Sequence, residues 1–123
     1  MSTLRIDVSG GTRGYKPGET IGGRVTWQAD AAPQSAEVRL FWYTSGKGTQ
    51  DVEIVDSVAF QTPQMNDERT FSFSLPRQPY SFSGKLISLV WALELIVEPG
   101  GNVERQEFVM SGSGQEVVLR EGA

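Results

Sequence analysis

KLISLVWALELIVEP, residues 85–99, is the longest apolar run in the chain, and its reading decides the fold. Leucine and alanine favour a helix. Yet Ile87, Leu89, Trp91, Leu93, Leu95 and Val97 recur at every second position, and Gly84 and Pro99 bracket the run. That is the period and the punctuation of a strand. Val90, Ala92 and Ile96 enrich the opposite face too, which predicts a central strand.

The neighbouring segments carry the same period. In RTFSFSLP (69–76), Phe71, Phe73 and Leu75 alternate with Thr70, Ser72 and Ser74 until Pro76 stops the strand. RQPYSFSG (77–84) is a loop holding Tyr80 and Phe82. EPGGN (98–102) reads as a hairpin turn into VERQEFVM (103–110), and SGSG joins that strand to QEVVLR (115–120). Upstream, AEVRLFWYT (36–44) places Ala36, Val38, Leu40, Trp42 and Thr44 on one face and Glu37, Arg39, Phe41 and Tyr43 on the other. In DVEIVDSVAFQT (51–62), Val52, Ile54, Val58 and Phe60 are in phase, and Asp56 interrupts them. The interruption predicts a bulge near Val55 and Asp56. TLRIDV (3–8) has the charged alternation of an edge strand. In GYKPGETIGGRVTW (14–27), Tyr15 precedes a type II turn at Pro17 and Gly18, because Pro17 presets φ and Gly18 supplies the positive φ that the next position needs. Ile21, Gly23, Val25 and Trp27 then share one strand face. About eight strands with turn signals every ~8–12 residues predict an all-β, antiparallel sandwich.

The 123 residues fit one domain, taken as residues 1–123. No apolar run is long enough to span a membrane. The stretch MSTLRIDVSGG lacks the apolar core of a signal peptide, so a cytoplasmic location is expected. There is no cysteine and no histidine. Disulfides, thiolate nucleophiles, Ser-His-Asp triads and imidazole or thiolate metal sites are therefore not expected, nor is any cofactor. The net charge is −4, with six basic against four acidic residues in 1–48 and five against eleven in 49–123. An acidic chain argues against nucleic acid as a partner.

Few motifs invite chemistry. SGKGT (45–49) lacks the spacing of a phosphate loop and is read as a hairpin turn. Asp51 with Glu53 and Asp67 with Glu68 are the candidate carboxylate pairs for glycoside hydrolysis, and solvated charge is the simpler reading of both. Trp27, Trp42 and Trp91 fall on apolar faces and are assigned to the core. Phe41, Tyr43, Tyr80 and Phe82 are the better candidates for an exposed platform.

YKPGETIGGRVTW, followed later by FSFSLPRQPYSFSGKLISLVWALELIVE, resembles the arrestin fold. The first stretch is similar to the family's bulky residue, Pro-Gly-Glu and Ile-x-Gly-x-Val. The second is similar to its F-x-L-P strand end and the long strand beyond. The resemblance covers about a third of the chain. It implies an immunoglobulin-like antiparallel sandwich acting as a non-enzymatic adaptor or scaffold, as in receptor regulators, the arrestin-like subunit of retromer and bacterial sporulation-control proteins. A single domain suggests a prokaryotic relative. The charged core between paired domains has no counterpart, no PPxY motif is present, and no receptor or phosphate-sensing role carries over.

Two functions are thus in play. One is a protein-interaction module binding by edge-strand addition or self-association, with Thr3–Val8 and Gln115–Arg120 as edges. Arg24, Phe41 and Tyr43 are its candidate contact residues, Arg24 lying near the others if their strands pair. Burial of Phe41 and Tyr43 in the core is the alternative. The other is a carbohydrate-binding or carboxylate-based carbohydrate-active sandwich, suggested by the aromatic loops and surplus acids.

Overall fold

Within the run at 85–99, Ile87–Glu98 does form the central strand. The computed structural model describes residues 3–9, 14–46, 50–84, 87–112 and 117–118. Its elements are β1 (Thr3–Val8), β2 (Gly14–Tyr15), β3 (Thr20–Gln28), β4 (Ser35–Gly46), β5 (Val52–Ala59), β6 (Asn66–Ser74), β7 (Phe82–Ser83), β8 (Ile87–Glu98), β9 (Asn102–Met110) and β10 (Val117–Val118). No α-helix occurs among the described residues. β8 is flanked by β4 along one side and by β7 and then β9 along the other. A strand paired on both sides has its polar backbone groups satisfied within the sheet, so it can carry apolar residues on both faces.

Two sheets result. The smaller has the order β1–β3–β6, antiparallel throughout. The larger runs β5–β4–β8 and continues to β9 and β7, also antiparallel. The expected antiparallel scheme needs one amendment: the two-residue strands β2 and β10 pair in parallel with β9 and β7. Of the predicted closing strand at 115–120, only β10 falls within the described residues. The turn at Lys47–Thr49 lies outside them.

Alternation delivers the core. Ile21, Val25, Trp27, Phe71 and Phe73 of the small sheet face Val38, Leu40, Trp91, Leu93, Leu95 and Phe108 of the large one, all buried. Trp91 and Trp27 are fully enclosed, and each indole N–H donates to a backbone carbonyl at 2.8 Å, of Pro79 and Gln64 respectively. Trp42, also assigned to the core, is partly buried against it. Among the described residues no buried side-chain nitrogen or oxygen lacks a partner, as a stable interior requires.

The Pro17–Gly18 turn is a corner of this frame. Gly18 has φ +83°, and the Glu19 N–H donates to the Lys16 carbonyl at 3.1 Å. The turn is stitched to the end of β6: the Gly18 N–H donates to the Leu75 carbonyl at 3.1 Å and the Leu75 N–H to the Glu19 carbonyl at 2.9 Å. Tyr15 is buried edge-on to Phe108, ring centroids 5.6 Å apart. The two stretches that carry the arrestin resemblance are thus joined physically, by this corner and by the β3–β6 ladder. Nothing lies within 4 Å of where a Gly18 Cβ would sit, so a substitution there meets backbone strain alone. Gly18→Val is expected to cost about 1 kcal/mol or more. An unchanged melting temperature would contradict the turn.

Candidate functional site

The outward face of the large sheet is built from the polar-phase residues of β4, β8 and β9. Cross-strand register sets Phe41 beside Ala92, with Ala92 beside Glu107, and Arg39 beside Glu94, with Glu94 beside Arg105. Ala92, small and fully buried, leaves room above it. The Phe41 and Tyr43 rings stack with centroids 6.0 Å apart, and the Arg105 guanidinium lies 5.0 Å from one centroid and 5.1 Å from the other. Arg105 is held by Glu94 at 3.0 Å, and the Tyr43 hydroxyl donates to Glu107 at 2.6 Å. Burial raises the Tyr43 phenol above its ordinary pKa, and the hydrogen bond to Glu107 adds to the rise.

Both readings of Phe41 are therefore partly met. Its ring is outside the inter-sheet core, yet it is only 5% exposed because Arg105 and Tyr43 cover it. Tyr43 is half-buried on the same face. Arg24 is not near them. β3 pairs with β1 and β6, never with β4, so Arg24 projects from the other sheet, where it meets Glu68 at 2.8 Å. The expected Arg24–Phe41–Tyr43 cluster fails because β3 and β4 belong to opposite sheets.

β5 supplies what sequence reading missed. The ladder pairs Tyr43 with Val52 and Phe41 with Ile54, but Leu40 with Asp56. Val55 is the extra residue, so the bulge falls where the sequence predicts it. Its consequence is a change of face. Val58 and Phe60 pack against the core, whereas Val52 and Ile54 turn outward beside Tyr43 and Phe41. They are 65% and 53% exposed, and Val55 is 37% exposed. With Arg39, Gln50, Glu94 and Arg105 they border a recess of about 280 Å³ next to Phe41 and Tyr43. β5 has β4 on one side and no strand among the described residues on the other.

The carboxylates of the Asp67–Glu68 pair are engaged separately. Asp67 is locked at the rim of the sandwich, accepting from Arg69 at 2.9 and 3.1 Å and from the Gln64 and Glu68 backbone N–H groups. Arg69 in turn lies over the Phe60 ring at 5.9 Å. Glu68 pairs with Arg24 instead, and Asp51 and Glu53 stand in solvent. The Arg69 hydrogen bonds hold the Asp67 carboxyl down at about 2. A depressed folded value means that Asp67 stabilises the fold fully above about pH 4 and progressively less as the pH falls toward 2. Thermal unfolding at pH 4, 3 and 2 is expected to fall more steeply for the wild type than for Asp67→Asn. Equal slopes would contradict the pairing. Among the platform candidates, Tyr80 is 46% exposed and Phe82 packs against the core.

With the two sheets and this face defined, solved structures place the fold. The chain is similar to Spo0M. That sporulation control protein of Bacillus subtilis superposes with a TM-score of 0.60 at 18% identity, over 89% of this chain and 49% of its own. The chain therefore spans about half the length of Spo0M. A superoxide reductase (neelaredoxin) from Ignicoccus hospitalis superposes with a TM-score of 0.51 at 16% identity, over 89% of this chain and 80% of its own. No protein-family model matches the chain, and no curated protein matches it by sequence. The likeness is one of fold: an all-β sandwich of the Spo0M type, arrestin-like in architecture. Among the described residues no helix is long and apolar enough to cross a membrane.

Proposed function

We propose that this chain is a non-enzymatic protein-interaction module whose contact surface is the β5 edge and the adjoining aromatic face of the large sheet. One observation carries the reading: Val52 and Ile54 stand exposed next to the Phe41–Tyr43–Arg105 stack, on a strand with no neighbour on its other side among the described residues. An edge strand is usually guarded, and clustered exposed aliphatics mark interaction sites. The fold by itself does not choose, since the same sandwich serves a sporulation control protein and a superoxide reductase. The side chains do favour binding. The chain has neither histidine nor cysteine, and its candidate carboxylates are engaged separately or solvated. Adaptor use within a regulatory system fits the Spo0M likeness.

The carbohydrate reading has less support. A sugar stacks on an open ring face, and the Phe41 face is taken by a guanidinium.

Wild type, Ile54→Lys and Arg24→Ala, each tagged and expressed in the native host, test the proposal by quantitative co-purification. Both substitutions are at exposed positions, so melting temperatures are expected to stay within about 2 °C of wild type. Proteins retained by wild type and Arg24→Ala are expected to be lost from Ile54→Lys. An identical set on all three would contradict the face, and binding of the wild type on a glycan array would favour the rival.

A further inference from the structure

The polarity of β5 says which kind of partner its open edge admits. We infer that β5 takes up an extended segment of a partner protein as an added strand, and that this segment alternates aliphatic residues with lysine or arginine. The inference rests on the proposed interaction role and adds the partner's chemistry.

The backbone comes first. The Thr44 N–H donates to the Asp51 carbonyl at 2.9 Å, and antiparallel ladders alternate between bonded and non-bonded pairs. Asp51 and Glu53 therefore turn their backbone groups toward β4, while Val52 and Ile54 turn theirs toward the open side. The residues with outward backbone groups are also the ones whose side chains lie on the aromatic face. An added strand would bond to Val52 and Ile54, and its residues opposite them would rest on the same apolar surface.

Charge decides the occupant. Between Gln50 and Gln61 the chain holds Asp51, Glu53 and Asp56 and no basic residue. All three are exposed. A second copy of β5 would bring acids against acids across the new ladder, an arrangement that cross-strand pairing disfavours. A strand with a basic residue opposite Glu53 meets opposite charge there, flanked by Asp51 and Asp56. The alternation of the strand sends its apolar residues to the other face, over Val52 and Ile54. Edge, apolar face and acids together specify an aliphatic-basic-aliphatic repeat. The bulge at Val55 confines the main contact to the stretch from Asp51 to Ile54.

The test is an NMR titration of the full chain, labelled with nitrogen-15, against three capped octapeptides. One alternates valine with lysine, one alternates valine with glutamate, and one has the first peptide's composition in two blocks. The alternating lysine peptide is expected to shift the Val52 and Ile54 amides and slow their exchange. The glutamate and block peptides are expected to bind about ten-fold or more weakly. Glu53→Lys is expected to reverse the charge preference, and Ile54→Lys to abolish binding, with folded spectra in both cases. No binding of the lysine peptide at millimolar concentration overturns the inference, as does equal binding of all three or shifts confined to other strands. Concentration-dependent dimerisation through β5 without peptide also overturns it, since the occupant is then a second copy. If Ile54→Lys loses its co-purifying proteins while the lysine peptide fails to bind, the interaction role stands and this partner class falls.

Discussion

Gly23→Ala is expected to lower the melting temperature by roughly 9–15 °C, equivalent to about 3 kcal/mol in a domain of this size. Gly23 lies on β3 between Val8 of β1 and Phe71 of β6. A Cβ added there would sit 2.1 Å from the Asp7 carbonyl oxygen and 2.9 Å from the Val8 Cα, both backbone atoms. No side chain can swing aside, so β1 must separate from β3. Gly22 is the internal control, since its Cβ would meet the Phe71 carbonyl at 3.1 Å, a distance that a small shift relieves. Gly22→Ala is expected to cost much less. Amide exchange should report the mechanism as loss of protection along β1 in Gly23→Ala. A shift below about 4 °C for Gly23→Ala would mean that β1 is not seated as described.

Trp91→Ala is expected to cost about 3–5 kcal/mol, enough to leave a marginally stable domain largely unfolded. The indole is fully buried, 6.0 Å from the Phe108 ring by centroids, and opposite Trp42 across the β4–β8 ladder. Its N–H also fixes the Pro79 carbonyl, so truncation leaves both a cavity and an unpaired acceptor. Trp91→Phe separates the two. It keeps most of the apolar volume and drops the hydrogen bond, with an expected cost of about 1–2 kcal/mol. Chemical denaturation of the three proteins measures both differences. A cost below about 2 kcal/mol for Trp91→Ala would place this tryptophan outside the core.

The strand faces were legible because alternation reports burial directly. Phe71, Phe73, Leu93, Leu95 and their neighbours point where the period-two pattern sends them, and the helix propensity of leucine and alanine yields to it. The Gly18 turn was legible because one backbone geometry needs one residue type. Three features were not. Arg24 lies near Phe41 only if β3 and β4 pair, and whether consecutive strands share a sheet depends on long-range contacts that no local pattern encodes. The outward turn of Val52 and Ile54 was hidden differently. In the sequence they are in phase with Val58 and Phe60, and only the extra residue at the bulge moves them to the other face. Asp56 marked that bulge, so the signal was present. Arg105 over Phe41 left none, because VERQEFVM shows a charged outer face without saying which ring it covers.

The central claim is that the partner is met at β5 and its aromatic face. Site-specific photocrosslinking in the native host tests it most directly. A photoreactive residue is placed at position 54 in one protein and at position 24, on the opposite outer face, in another. The account predicts a discrete protein adduct from position 54 and none from position 24. Adducts from position 24 alone, or equally from both, would contradict it.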